Sequence, residues 1–469
     1  MSKHAQKSIC KALSLLIIAA LIFMSFAACS PSDSKPASTS TLNGISLGDF
    51  SIVYADESYG YNERAAQYIQ SEIASRTGLN LAVLKDSDAT SGTYEIVVGD
   101  TSRDISSRLE PVADSVQFNI LAEDTQIAME GEYFVIAAAA YYFVNTYIPE
   151  NNHNAEIPKE VTTHEPIVES PDNYILMIGD GMGPNQTLLF EAMTNNREFG
   201  HGEDTFFGYY LPYSGFHRTG SLTGVTDSAA GGTALACGIK TINYYVGQDK
   251  DHNPVQSITE LAGSLGMATA VMSTEANTGA TPAAFSAHAD DRELSSDIIP
   301  SQAQLKQTYG TIIECGYDYY NTNGVKNICK KVTNTLNTLS EDSDGFFMMY
   351  EEAHTDKHSH TNDIAKAYDA MIRFNRVIAV VMEYAFYHPN TLVIITADHE
   401  TGGLTEQDGS FVYTSEEHTG VDVPVFAYGV GGELFHGKTI ENVQIPMTLA
   451  SFMGVNDFGD QTTFKPLAE

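Results

Sequence analysis

The segment Tyr174-Ile175-Leu176-Met177-Ile178-Gly179-Asp180 is a continuous apolar run that ends in an acid. Three later runs have the same form and also end in a polar residue: Ala268–Thr274, Phe346–Glu351 and Leu392–Asp398. Continuous apolar runs separated by helical stretches are typical of strands that are buried on both faces of a parallel sheet. The sequence therefore predicts an α/β fold with a doubly wound, largely parallel sheet.

Acids and histidines stand at or just after the ends of these strands. Together with one histidine further along the chain they are Asp180, Glu351, Asp356, His360, Asp398, His399 and His418. The carboxyl ends of such strands open onto the crevice where these sheets bind ligands. Asp356 and His360 are spaced i, i+4, so both side chains project from one face of a helix. Imidazole with carboxylate suits zinc, whereas an oxygen-only set suits magnesium.

The segment Val225–Ala234 places Ser228 just before a run of small residues that can begin a helix. A helix N terminus presents unpaired N–H groups and partial positive charge to a phosphate. Taken alone, Ser228 is equally consistent with a simple N-cap. The candidate metal ligands elsewhere in the chain favour a nucleophile.

These segments resemble the successive motifs of the alkaline phosphatase family, in the family's order. The motifs are Asp180-Gly181-Met182-Gly183, Thr226-Asp227-Ser228-Ala229-Ala230, Ala280-Thr281-Pro282 with Arg292 downstream, Glu351 to His360, Thr396-Ala397-Asp398-His399 and Glu417-His418-Thr419-Gly420. The resemblance extends from Asn173 to the C terminus. It implies hydrolysis of phosphate monoesters through a phosphoserine intermediate, with release of inorganic phosphate.

The resemblance also implies cofactors, namely two Zn²⁺ and one Mg²⁺. The ligands of the first zinc would be Asp356, His360 and His418. The ligands of the second would be Asp180, Asp398 and His399, with Ser228 added. The magnesium ligands would be Asp180, Thr281 and Glu351.

Four further roles follow from the same resemblance. Ser228 would attack phosphorus, and Arg292 would bind two phosphoryl oxygens because its planar guanidinium donates two parallel hydrogen bonds. Asp227 would orient Arg292, and Lys357 would assist through water. The chain departs from the family at Gly279, where some bacterial members carry an aspartate that touches the magnesium shell. This departure bears on magnesium affinity and on the position of Lys357.

Residues 49–149 alternate short β-rich runs with two helical segments, which predicts a small α/β accessory domain. The first helix, Tyr61 to Arg76, carries Ala65, Ala66, Ile69 and Ile73 on one face. The second, Tyr133 to Ile148, is apolar nearly all round but shorter than the about 20 residues that span a bilayer, so it predicts a buried helix. Spacing or docking is the expected role of this domain. Residues 150–171 are proline-punctuated and predict a linker to a catalytic domain at 172–469.

The first residues have the pattern of a secretory signal. Lys3, Lys7 and Lys11 precede the apolar run from Ala12 to about Phe26, and small residues then lead to Cys29. This predicts a signal peptide at 1–29 whose end resembles the lipobox of bacterial lipoproteins, with Cys29 acylated. Ordinary cleavage and an uncleaved anchor are the alternatives. Residues 30–48, rich in Ser, Pro and Thr at their start, predict a flexible tether, and hence an extracytoplasmic protein that is membrane-anchored or secreted.

The 469 residues include 25 basic and 60 acidic side chains, for a formal charge of −35. This is the wrong sign for binding nucleic-acid phosphates, so no nucleic-acid partner is expected. The expected partners are small phosphate monoesters, the membrane through the lipid anchor, and a second copy of the chain, because family members are often dimeric. Cys315 and Cys329 are equally consistent with a disulfide and with two thiols.

Two alternatives use the same residues differently. One is a phosphodiesterase or a phosphomutase on the same metal scaffold. Arg292 and the third set of ligands argue against it, because a diester has fewer charged oxygens for such a clamp. The other is a catalytically inactive surface-binding lipoprotein, which the intact set of ligands and nucleophile disfavours.

Overall fold

The structure is a computed structural model. It describes residues 40–57, 59–110, 112, 115–123, 125–148, 154–159, 162–164, 171–195, 206–316 and 324–468. The predicted signal peptide with Cys29, and the predicted tether as far as residue 39, lie outside the described residues. Among the helices of the described ranges, none combines the length and the apolar character needed to cross a membrane.

In the described part of the chain before residue 165, short strands alternate with two α-helices. The strands are β1 (Thr41–Leu42), β2 (Ile45–Ser46), β3 (Ser51–Tyr54), β4 (Val83–Lys85), β5 (Glu95–Val98), β6 (Phe118–Glu123), β7 (Gln126–Glu130), β8 (Asn154–Ala155) and β9 (Thr162–His164). The helices are α1 (Tyr61–Thr77) and α2 (Ile136–Tyr147).

Six of these strands form one mixed sheet in the order β4-β3-β5-β7-β6-β9. Strands β4, β3, β5 and β7 are parallel, whereas β6 runs antiparallel to both β7 and β9. Helix α1 buries the predicted face, Ala65, Ala66, Ile69 and Ile73. The segment predicted as one helix from Tyr133 to Ile148 begins with a 3-10 turn at Tyr133–Val135 and continues as α2.

Two predicted connecting segments contain paired strands. Within the predicted tether, β1 and β2 form a hairpin across Asn43 and Gly44, both at positive φ, and β1 also pairs with β8. Leu42 and Leu47 are 1% exposed, so burial of apolar side chains fixes residues 40–48 despite the polar composition before them. Within the predicted linker, β9 pairs with the edge strand β6, whose backbone groups would otherwise lack a partner on that side. The described residues of both segments therefore include paired strands.

The C-terminal part of the chain contains the remaining elements. Its strands are β10 (Asn173–Gly179), β11 (Tyr213–Arg218), β12 (Ala268–Ser273), β13 (Ile312–Cys315), β14 (Phe346–Glu352), β15 (Thr391–Thr396), β16 (Glu400–Thr401), β17 (Thr405–Gln407), β18 (Ser410–Val412), β19 (His418–Thr419), β20 (Val423–Tyr428) and β21 (Thr439–Glu441). Its helices are α3 (Pro184–Asn195), α4 (Ser228–Cys237), α5 (Ile258–Ser264), α6 (Ala280–Ala284), α7 (Ser295–Tyr309), α8 (Gly324–Leu339), α9 (His354–Ser359), α10 (Ile364–Tyr387) and α11 (Gln444–Phe452).

Eight of these strands form the main sheet, in the order β13-β12-β14-β10-β15-β20-β11-β21. The five strands from β13 to β15 are parallel, and β20 is antiparallel to both of its neighbours. Every residue of β10 is buried, because helices cover both faces of the sheet. The prediction of a doubly wound, largely parallel sheet is confirmed.

The two faces of the main sheet have separate apolar cores. On one face, Ile175 and Met177 of β10 pack in a cluster with side chains from α3, α8 and α10. On the other face, Leu176 and Ile178 pack in a cluster with side chains from α4, α5 and α11. Alternating side chains of one strand thus enter opposite cores, as the pleat requires.

Helix α2 and the 3-10 turn before it pack against helix α10 of the C-terminal part. The ring of Phe134 lies 4.9 Å from that of Phe207 and 5.9 Å from that of Phe386, measured between centroids. Arg64 forms a two-pronged ion pair with Glu383 on α10, at 2.7 and 2.9 Å. Apolar side chains of both parts belong to one continuous core. The N-terminal part is therefore docked rather than loosely attached.

Candidate metal centre

Three carboxylates meet at the carboxyl edge of the main sheet. Asp180 follows β10, Glu351 is near the end of β14, and Asp398 follows β15 after one further residue. Because β10 lies between β14 and β15, Ile178 is in register with both Glu351 and Thr396. Asp180 is 4% exposed, and the other two are fully buried. The strand ends thus place three acids together away from bulk water.

His399 lies at the centre of one group of potential ligands. Its Nε2 atom is 3.1 Å from Ser228 Oγ, 3.1 Å from Asp398 Oδ2 and 3.5 Å from Asp180 Oδ1. Its Nδ1 atom is 3.2 Å from Thr401 Oγ1, a contact that orients the ring. The structure therefore brings together all four residues that the sequence assigned to the second zinc.

A second group consists of Asp356, His360 and His418. The two histidine Nε2 atoms are 3.1 Å apart, and they lie 3.3 and 3.4 Å from Asp356 Oδ1. The Nδ1 atoms of both histidines instead contact backbone carbonyls, of Glu416 and Thr226. A carbonyl oxygen can only accept a hydrogen bond, so Nδ1 carries the proton of each neutral ring and Nε2 keeps a lone pair for a cation. This group is the one that the sequence assigned to the first zinc.

The spacing of these donor atoms fits a tetrahedral transition-metal ion. Ligand distances of about 2.0–2.2 Å in a tetrahedral site place neighbouring donors about 3.4 Å apart. The three distances from His399 Nε2 to its neighbours, and the three distances among Asp356, His360 and His418, are 3.1–3.5 Å. The groups are also adjacent, because the rings of His399 and His418 stack with centroids 3.6 Å apart.

The third predicted set, Asp180, Thr281 and Glu351, is buried beside the others. Among the described residues, Asp180 Oδ1, Thr281 Oγ1 and Glu351 Oε1 have no hydrogen-bond partner and almost no exposed surface. Burial and the charges of Asp398 and Asp356 raise the pKa of Asp180, and burial and Glu275 raise that of Glu351. Buried oxygens of this kind need a partner. A cation supplies one, and the oxygen-only donor set fits a hard cation.

Ser228 is the first residue of α4 and is 4% exposed. The N-cap is Asp227, whose Oδ1 accepts a hydrogen bond of 3.0 Å from the backbone N–H of Ala230. The N-cap role weighed for Ser228 therefore belongs to its neighbour, and the serine hydroxyl faces His399 instead. The other carboxylate oxygen of Asp227 accepts from Arg292 Nη1 at 3.2 Å and from the N–H of Tyr244 at 3.1 Å. This holds the guanidinium near the nucleophile.

Lys357 on α9 donates to Glu275 Oε2 at 2.6 Å. Glu275 was not among the residues singled out from the sequence. The signal was present, because Glu275 follows β12 after one further residue, as Asp398 follows β15.

The family profile described as alkaline phosphatase matches residues 172–315 and 325–416. The chain belongs to the alkaline phosphatase family. It is 28% identical over 298 residues to alkaline phosphatase 3 of Bacillus subtilis, a match that covers 52% of this chain and 64% of that protein. It is 30% identical over 314 residues to the alkaline phosphatase of Schizosaccharomyces pombe, covering 50% and 57%. The chain thus spans less than two thirds of the length of these curated relatives.

Solved structures share the fold. The alkaline phosphatase of the Antarctic bacterium TAB5 is 26% identical and superposes with a TM-score of 0.53, covering 61% of this chain and 99% of that one. The enzyme of a psychrophilic Shewanella is 25% identical with the same TM-score, covering 60% and 99%. The match to the family profile begins at residue 172, after the N-terminal sheet.

Cys315 and Cys329 are present as thiols in the structure.

Proposed function

We propose that this protein hydrolyses phosphate monoesters through a phosphoserine intermediate on Ser228. The observation that carries the proposal is the position of Ser228 Oγ, 3.1 Å from His399 Nε2 and at the N terminus of α4. A hydroxyl at this place lies among donor atoms suited to cations and beside a guanidinium suited to phosphate. Membership of the alkaline phosphatase family supports the same reaction class.

Three cations would be held by the residues described above. Asp356, His360 and His418 would hold one Zn²⁺, and Asp180, Asp398 and His399 would hold a second, next to Ser228. Asp180, Thr281 and Glu351 would hold Mg²⁺, and one solved form of the TAB5 enzyme, a mutant, has Mg bound in its M3 site. When bound, such ions supply Lewis-acid charge that acidifies a nearby hydroxyl and stabilises developing negative charge on oxygen.

The protein's own groups define the course of the reaction. Arg292, held by Asp227, would donate two parallel hydrogen bonds to the phosphoryl oxygens and present phosphorus to Ser228. Oγ of Ser228 would lose its proton and form the new P–O bond while the ester P–O bond breaks and the alcohol departs. Water would then cleave the phosphoserine, release inorganic phosphate and restore the hydroxyl.

The decisive experiment compares kcat/KM for an aryl phosphate monoester and the matching diester, in protein loaded with Zn²⁺ and Mg²⁺. We expect the monoester to be preferred, because its additional charged oxygen can bind Arg292. A preference for the diester would replace the proposal with a phosphodiesterase. Lack of turnover of both esters in metal-loaded protein would favour an inactive binding protein.

We propose that the protein is exported and held at the membrane by lipid on Cys29. Its substrates would then be phosphate monoesters outside the cytoplasm. We also propose that it assembles as a homodimer. Metabolic labelling with a radioactive fatty acid, compared between the wild type and Cys29→Ala, tests the anchor. Equal labelling of the two would contradict it.

A further inference from the structure

The loop that joins β12 to α6 holds Glu275 beside Gly279. The N–H of Gly279 donates to the carbonyl of Ala276 at 2.8 Å, which closes a tight turn and returns the chain toward Glu275. A Cβ atom built on Gly279 would lie 1.8 Å from Glu275 Oε1 and 2.1 Å from its carboxyl carbon. The carboxylate of Glu275 therefore fills the space that a side chain at position 279 would need.

The backbone gives no other reason for glycine at this position. Gly279 has φ −57° and ψ 152°, a conformation open to any residue. The path of the chain does not call for glycine here, but a Cβ atom at this position would displace the Glu275 carboxylate from where it lies. The two positions are therefore coupled, because the carboxylate of Glu275 fits only where residue 279 has no side chain.

This carboxylate faces the candidate metal centre. Its second oxygen accepts from Lys357 Nζ at 2.6 Å, and its side chain is 15% exposed against 44% for the lysine. The N–H of Glu275 donates to Ser273 Oγ at 3.0 Å, and the same hydroxyl donates to Glu351 Oε2. Ser273 therefore connects the backbone of Glu275 to a carboxylate of the third ligand set.

We infer that Glu275 is a positioning residue of the third cation site. Its carboxylate occupies the space left by Gly279, holds Lys357 in place and supplies negative charge just outside the ligands of the cation. The cation it serves is a small hard divalent ion, Mg²⁺, which keeps part of its hydration shell and so accepts charge from a group one water away. This inference rests on the proposed function for the identity of the cation. It adds a residue and a spatial pairing that the family resemblance does not supply.

The pairing of Glu275 with Gly279 can be tested by moving the carboxylate. Glu275→Gln keeps the shape and removes the charge, whereas Gly279→Ala keeps the charge but displaces it. The double variant Glu275→Ala/Gly279→Asp supplies a carboxylate from the other position. Glu406→Gln, an exposed glutamate on β17, is the matched control.

The measurement is Mg²⁺ binding by isothermal titration calorimetry to zinc-loaded protein, with the Mg²⁺-dependent rise in melting temperature as a second readout. We expect Mg²⁺ affinity to fall about 10–100-fold in Glu275→Gln and in Gly279→Ala, as for other groups that contact a ligand shell rather than the metal. The double variant should regain most of the loss, and Glu406→Gln should match the wild type. Circular dichroism of each variant in chelator verifies its fold.

Each outcome decides the inference independently of turnover. Unchanged Mg²⁺ affinity in Glu275→Gln, wild-type affinity in Gly279→Ala, or no recovery in a folded double variant would overturn it. Wild-type protein that binds no Mg²⁺ would also overturn it, while leaving zinc-dependent ester hydrolysis intact. If Mg²⁺ binding depends on Glu275 but no ester is hydrolysed, the proposed function fails and the inference stands.

Discussion

Ser228 Oγ lies 3.1 Å from Nε2 of His399, although the two residues are 171 positions apart in the chain. The contact joins the N terminus of α4 to the loop after β15, so it is formed by tertiary packing and not by neighbouring residues. Both residues are buried, at 4% and 0% exposure. A serine hydroxyl in this setting is shielded from bulk water and positioned against the predicted metal ligands.

Ser228→Ala should abolish ester hydrolysis without emptying the metal centre. The substitution removes the attacking oxygen, while Asp180, Asp398 and His399 still offer three ligands. We expect kcat to fall about 10³-fold or more, as for other nucleophile deletions, with zinc content by mass spectrometry unchanged. Ser264→Ala at the end of α5 is the control. Retained turnover in Ser228→Ala would assign the nucleophile to another group.

Asp180→Asn should change stability in opposite directions with and without metal. In chelator, the wild type buries Asp180 beside Asp398, Asp356 and Glu351, and these charges and burial oppose its ionisation. The amide removes that repulsion, so we expect a higher melting temperature than the wild type. With Zn²⁺ and Mg²⁺ the variant should melt lower, because a ligand is lost. The same direction of change in both conditions, or an equal change in Asp408→Asn on an exposed turn, would contradict this account.

Arg292→Ala should weaken the binding of phosphate groups. The guanidinium is held by Asp227 at 3.2 Å, and two charge-assisted hydrogen bonds to substrate would be lost. We expect kcat/KM for an aryl phosphate to fall about 10–100-fold or more, with weaker product inhibition by inorganic phosphate. Arg218→Ala removes a half-exposed arginine paired with Glu441 and serves as the control. Unaltered inhibition by phosphate would show that Arg292 does not bind the phosphate group.

Glu130→Gln should alter the pH dependence of stability. Burial and the charge of Asp100 raise the pKa of Glu130 to about 8 from its ordinary 4.5. The folded state then holds this proton more tightly than the unfolded state, so the free energy of unfolding falls as pH rises between 4.5 and 8. The glutamine variant lacks this contribution, which amounts to at most about 1.4 kcal/mol per pH unit. The urea midpoint of the wild type minus that of the variant should therefore fall from pH 5.5 through 7 to 8.5, and a constant difference would disprove the shift.

The sequence by itself determined the architecture of the sheet and the kinds of ligand. A run such as Tyr174–Asp180 is a local signal, because a strand buried on both faces must be apolar along its whole length and its polar end must lie at the sheet edge. The i, i+4 spacing of Asp356 and His360 is equally local. These features can be predicted because each is contained in a few consecutive residues.

Only the tertiary structure decided which side chains share space. The carboxylate of Glu275 occupies the place of a side chain at Gly279, and Asp227 rather than Ser228 caps α4. Likewise, the burial of Leu42 and the packing of Phe134 on α10 depend on surfaces contributed by distant segments. Such contacts depend on the direction of each side chain and on burial against distant elements. Neither leaves a periodic pattern or a fixed spacing in consecutive residues from which it could be predicted.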